Sequence, residues 1–142
     1  MTRYLLDTNI ISDITKPVPS ASVLVWFSAI PDESLFISTL SIAEIKRGIL
    51  EKAAGRKRRE LEDWFAGPEG PQQLFAGRIL GFDESSALEW ARLMAEGSAL
   101  GAPRSAIDMM VAAIASAHAC VVLTGNERHF RDVVAMVNPM AA

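Results

Sequence analysis

Three short apolar runs, set apart by long stretches of helical periodicity, constrain this chain more than any other feature: Tyr4-Leu5-Leu6, Leu35 to Ser38, and Ala119 to Leu123. Each is too short for a helix and reads as a buried strand. Between the first two, after Pro19-Ser20, Val23, Trp26, Phe27 and Ile30 recur at helical spacing until Pro31 ends the pattern. Ile42, Ile45 and Ile49 repeat it on a helix expected to stop near Gly55. A hairpin needs only a few residues between strands, whereas parallel strands need a crossover of a dozen or more, commonly a helix. The long helical gaps therefore imply an α/β fold, a three-layer α/β/α sandwich around a central, mainly parallel sheet.

The remaining segments extend this plan. Arg56 to Arg59 opens a helix running through Leu61, Trp64 and Phe65, and Gly67-Pro68-Glu69-Gly70-Pro71 breaks it. Ile79-Leu80 reads as a strand, and Asp83 as the N-cap of a helix reaching about Gly97. Ser105 to His118 carries few polar side chains on any face, which predicts a buried central helix, with Val134 to Val137 as an edge strand. His118 would end that helix, where a partial positive charge suits the dipole. A chain of 142 residues suffices for one core, and a single domain over 1–142 is expected, with no internal repeat and no linker.

With 14 Lys and Arg against 17 Asp and Glu, the formal charge is −3, which argues against a general nucleic-acid binder. Any contact with nucleic acid must come from local basic clusters. The one cysteine, Cys120, lies in an apolar run and permits no disulfide within the chain, which fits a reducing cytoplasm. No apolar stretch reaches the roughly 18 residues that suggest a membrane span. Ser105 to Val122 comes nearest, but Asp108 and His118 interrupt it.

The acids are placed more tellingly than they are numerous. Asp7 ends the first strand, while Glu44 and Asp108 each open a later helical stretch. In an open α/β sheet, the carboxyl ends of parallel strands and the amino ends of the following helices face one side, where ligands bind. Carboxylates gathered there repel one another unless a cation neutralises them, and hard oxygen ligands suit Mg²⁺ or Mn²⁺. Local explanations compete: an Asx turn at Asp7, and capping boxes at Ser41-x-x-Glu44 and Ser105-x-x-Asp108. Capping, however, does not require two helices to start on the same rim as Asp7.

Tyr4-Leu5-Leu6-Asp7-Thr8-Asn9 resembles the segment in which PIN-domain nucleases place their first metal-binding Asp. Ser41 to Gly48, with Glu44, is similar to that family's second acidic motif, Asp108 to Ala113 to its third, and Thr124-Gly125-Asn126 through Phe130 to its fourth. The order spans Arg3 to about Pro139, with the nearest likeness to VapC- and FitB-type toxins of bacterial toxin–antitoxin pairs. The resemblance implies a PIN fold, Mg²⁺- or Mn²⁺-dependent endoribonuclease activity, dimerisation or a toxin–antitoxin hetero-oligomer, and inhibition by a cognate antitoxin. Asp7 and Asp108 would be direct metal ligands, with Glu44 completing the catalytic set directly or from a second shell. Thr8, Asn9, Ser41, Thr124 and Asn126 would orient ligands or substrate. Many PIN domains carry a fourth acid where this chain has Asn126, and a neutral amide should leave one cation held firmly and a second recruited with substrate phosphate. An antitoxin segment would cross Ile10, Ile11, Ile14, Trp26, Leu50 and Trp64.

A phosphodiester yields to water when its charge is neutralised and the water is deprotonated near pH 7, and a bound divalent ion serves both needs. RNA would then be gripped by Lys46, Arg47, Arg104 and Arg128, which adjoin the acidic motifs. For Arg56 to Arg59 a solvated helix face explains the charge as well. His129 reads as an ordinary surface side chain, because metal-driven hydrolysis does not demand it. Two alternatives remain open: an aspartate-nucleophile phosphatase built on Asp7-Thr8, and a catalytically inactive binding module marked by Asn126.

Overall fold

The computed structural model describes residues 1–141, so only the last residue of the expected domain, Ala142, lies outside it. Five strands form one parallel sheet in the order β3-β2-β1-β4-β5, where β1 is Arg3–Leu6, β2 Leu35–Ser38, β3 Ile79–Leu80, β4 Cys120–Leu123 and β5 Met136–Val137. β1 is central, pairing Tyr4 with Leu35 on one side and Arg3 to Leu6 with Cys120 to Leu123 on the other.

Alternation along the strands divides the apolar side chains between two faces. Leu5 and Val122 join one cluster, with Leu93, Met109, Ile114 and Phe130. Their neighbours Leu6 and Leu123 join the other, with Ile10, Ile11, Ile37 and Phe75. Helices α6 (Glu84–Ala99) and α7 (Ala106–Ala117) cover the first face. The second is covered by α1 (Thr8–Ile14), α2 (Ala21–Ser28) and α3 (Thr39–Leu50), with α4 (Arg56–Ala66) and the short α5 (Pro71–Leu74) beyond them. Residues Val111 to Ala115 of α7 are all buried, as the scarcity of polar side chains there predicts.

Some boundaries differ from the sequence reading, each for a local reason. The Ile42 helix ends at Leu50, short of Gly55, because the Lys52 N–H closes a tight turn onto the Ile49 carbonyl, and Gly55 instead sits at the N-cap of α4. β4 starts at Cys120 rather than Ala119, since Ala119 takes a left-handed φ of 55° as the chain leaves α7. Helix α1 follows Asp7 directly and buries Ile10 and Ile11 completely. Those two residues are therefore core, which corrects their expected place on a partner surface: consecutive positions of a helix one residue from a central strand point at the sheet.

The strand order reverses at β1. From β1 the chain moves outward through β2 to β3, and from β4 it moves the other way to β5. Where connections on either side of a strand depart to opposite faces, a crevice opens beyond the carboxyl ends, and ligands bind there. Asp7 follows β1 and Thr124 follows β4 at this point.

Candidate functional site

Asp7 caps α1, with its Oδ1 accepting from the Thr8 amide at 2.9 Å. Its Oδ2 accepts from the Thr124 hydroxyl at 2.9 Å and lies 3.4 Å from the Asn9 amide nitrogen. Thr124 in turn accepts from the Asn126 backbone N–H at 2.9 Å, and Asn9 Oδ1 takes the Gly125 N–H at 3.2 Å. The loop after β4 is thus pinned to the loop after β1. Burial pushes the Asp7 carboxyl above its ordinary range; the Thr124 and Thr8 hydrogen bonds pull it back, and the nearby charges of Asp108 and Glu44 push it up again.

Glu44 does not close the capping box its sequence suggests. Ser38 is the N-cap of α3 and accepts from the Ser41 N–H, so Glu44 sits in the second turn with its carboxylate free of the helix end. Thr8 Oγ1 lies 2.8 Å from Glu44 Oε1 and 3.0 Å from Ser41 Oγ. With one proton to give, Thr8 donates to the carboxylate and accepts from buried Ser41.

Asp108 forms half of its box. The Ser105 hydroxyl accepts from the Asp108 N–H at 3.3 Å, but the carboxylate turns away to His129, whose Nδ1 is 2.5 Å from Oδ2. His129 sits on α8 (Glu127–Phe130), with the Asn126 side-chain nitrogen 3.4 Å from the same Nδ1. This corrects the reading of His129 as an ordinary surface residue. The available signal was its spacing, one turn beyond Asn126, but what it reaches is decided by α7 and α8 meeting in space.

A polar chain therefore joins the three acids: Glu44 to Thr8, Thr8 to Asp7, Asp7 to Thr124, then Asn126 and His129 to Asp108. Among the described residues, no three His, Cys, Asp or Glu side chains stand ready around one point to hold a cation. Thr8 draws Glu44, and His129 draws Asp108, into hydrogen bonds of their own. The donor set nonetheless fits a hard divalent ion: carboxylate, hydroxyl and amide oxygens on one rim, with a buried carboxylate that neighbouring negative charge disfavours.

The basic candidates fare unevenly. Arg104 is corrected as an RNA contact: its guanidinium donates to the Leu93 carbonyl at 2.7 Å and to Glu96 at 3.0 Å, tying the α6–α7 loop to α6. Lys46 lies over the Phe65 ring, 5.3 Å from its centroid, and Arg47 pairs with Glu51 at 3.4 Å on the exposed face of α3. Arg128 is exposed beside His129 and lines, with Arg104, Arg131 and Ser105, a hollow of about 400 Å³. His118 caps the end of α7 and lies 3.1 Å from Asp83.

On the opposite side of the rim, Thr8, Ser12, Glu44, Ile45, Gly48 and Trp64 line a groove of about 460 Å³ between α1, α3 and α4. A second hollow, sharing Trp64 and Lys16, continues it to Ile14 and Leu74. Leu50 is exposed, whereas Trp26 stacks edge-on against Tyr4 and Phe27 and belongs to the packing of α2 on the sheet.

The PIN domain family model matches residues 4–135. The chain is 33% identical over 136 residues to a protein named VapC ribonuclease Y4jK from Sinorhizobium fredii, covering 95% of this chain and 96% of that one. It is 34% identical to Toxin FitB of Neisseria gonorrhoeae, again over 95% and 96% of the two chains. Among solved structures, that of FitAcB from Neisseria gonorrhoeae superposes with a TM-score of 0.88 at 32% identity, covering 98% of this chain and 99% of that one.

Proposed function

The chain belongs to the PIN-domain family, and on that premise we propose that it is a divalent-metal-dependent endoribonuclease toxin, silenced by a cognate antitoxin protein. Its relatives carry the names VapC ribonuclease and Toxin FitB, and its structural neighbours include FitAB bound to a DNA fragment. This family assignment displaces the aspartate-nucleophile phosphatase reading. The observation that carries the proposal is the run of polar contacts from Glu44 through Asp7 to Asp108 where the strand order reverses.

Asp7 and Asp108 are the proposed direct ligands of Mg²⁺ or Mn²⁺, and Glu44 holds the cation directly or through water. When bound, that cation neutralises the phosphodiester and makes water acidic enough to lose a proton near pH 7. The chain's own residues do the rest. Thr124 and the Thr8 N–H hold Asp7 in one orientation, and Thr8, itself bonded to Ser41, holds Glu44. In-line attack by water leaves a 5′-phosphate and a 3′-hydroxyl, so preference for RNA arises in binding rather than in the reaction. Lys46, Arg47 and Arg128 are the proposed phosphate contacts.

The groove from Glu44 past Trp64 to Leu74 is the proposed seat of the antitoxin segment, with Ile14, Leu50 and Trp64 along or beside it. A homodimer, or a hetero-oligomer with antitoxin, in the cytoplasm belongs to the same proposal. Among the described residues, no helix is long and apolar enough to cross a membrane.

The decisive assay uses purified chain freed of any partner, incubated with structured RNAs and Mn²⁺ or Mg²⁺. Wild type should cleave, and Asp7→Asn should lower the rate by roughly 100-fold or more, the scale of losing a group that stabilises transition-state charge. Equal, background-level cleavage by both would support a non-catalytic binding module instead.

A further inference from the structure

Resting on the metal-site reading above, we propose that His129 is a positioning residue for Asp108: its imidazole takes one carboxylate oxygen and leaves the other to face the acidic rim. Nδ1 stands 2.5 Å from Asp108 Oδ2, the shortest of the polar contacts that join the three acids. Among the described residues, Asp108 Oδ1 has no hydrogen-bond partner, and its backbone N–H is already spent on Ser105.

The geometry assigns the tautomer. An ionised carboxylate is acceptor-only, so a contact this close requires the proton on Nδ1. The Asn126 amide nitrogen, 3.4 Å from the same atom, then faces a donor and forms no hydrogen bond in that orientation; turning the amide over presents its oxygen as a second acceptor. Asn126 is the N-cap of α8, one turn before His129, and it is His129 that directs a charge carried by α7.

The need for such a device follows from electrostatics. Asp7 is buried and feels the charges of both Glu44 and Asp108. An untethered carboxylate at the exposed end of α7 would swing into solvent to escape them. His129 removes that freedom, as the hydrogen-bonded partners of metal ligands elsewhere do, and losing such a partner costs about 10–100-fold in metal affinity. His129 is itself held because α8 is short and seated by fully buried Phe130.

The test compares wild type, His129→Ala and His129→Asn in the full chain, reading Mn²⁺ affinity by electron paramagnetic resonance, with thermal melts to verify folding. His129→Ala should weaken Mn²⁺ about 10-fold or more with its melting temperature little changed. His129→Asn, whose amide nitrogen reaches the place of Nδ1, should recover most of the loss. Electron spin-echo modulation of the Mn²⁺ complex should show no directly coordinated imidazole nitrogen. The inference is overturned by a folded His129→Ala that binds Mn²⁺ as wild type does, by failure of His129→Asn to recover affinity, or by a nitrogen signal marking His129 as a ligand. Absence of Mn²⁺ binding in wild type would instead overturn the metal-site reading on which it stands.

Discussion

Asp7 occupies its place at a cost to stability, which its proposed role as a metal ligand would explain. Its carboxyl lies above the ordinary range because it is buried, and the charges of Asp108 and Glu44 add to the effect. A carboxyl whose folded pKa exceeds its unfolded value stabilises the fold most at low pH, and that contribution is lost as pH rises through the folded value. At neutral pH in chelator, Asp7→Asn should therefore melt above wild type. Adding Mn²⁺ should raise the wild-type midpoint and leave the variant's unmoved. Melting curves with and without the ion check both statements, and a variant that melts lower in chelator would contradict them. The same residue scale separates the two sequence-level capping boxes: Ser105 caps Asp108 as its spacing suggests, whereas Ser38 takes over the cap that Ser41 was expected to form. A hydroxyl three residues earlier in an extended conformation was as good a cap, and no spacing rule chooses between them.

At the scale of elements, α1 and α2 are joined by a buried acid rather than by packing alone. Asp13 accepts from the Ser20 N–H at 3.1 Å and its hydroxyl at 2.8 Å, with Lys16 at 3.5 Å. Ser20 was legible as the start of α2, but its hydroxyl caps no helix and serves this link instead. The Ser20 hydroxyl, foremost, holds the Asp13 carboxyl below its ordinary value. Its contribution is present above the unfolded value and is lost as pH falls through the lower folded one. Asp13→Ala should cost about 2–3 kcal/mol by denaturant titration at neutral pH, and the gap to wild type should narrow in acid. The turn between α7 and β4 carries strain of another kind, since Ala119 holds a φ of 55° that a side chain disfavours. Ala119→Gly should raise stability by about 0.5–1 kcal/mol, less any entropy that glycine adds to the unfolded chain. A lower melting temperature would show that the turn is relaxed.

For the molecule as a whole, the acidic rim lies between an apolar groove beside Glu44 and a hollow beside His129 whose walls include Arg128 and Arg131. Gly48 lies in the groove wall, and a Cβ built there meets nothing within 4 Å. Gly48→Phe should therefore fold, leave RNA cleavage by the free chain within about 2-fold, and weaken inhibition by antitoxin about 10-fold or more, the 1.4 kcal/mol of one obstructed contact. Unchanged inhibition would move the antitoxin to another face. The strand–helix alternation, the central strand ending in Asp7 and the buried α7 were all legible from the chain alone, because hydrophobic period and run length are local properties that tertiary packing preserved. The acids at 44 and 108 could be nominated in the same way, and a motif order resembling a known family ranked them above helix caps. Only the folded structure decided that Ile10 and Ile11 belong to the core, that Arg104 serves a loop, and that His129 reaches Asp108. Which side of a helix meets the sheet, and which side chains meet across 21 or more residues, depend on how elements pack against one another. Burial and long-range hydrogen bonds are properties of that packing, and no window of sequence contains them.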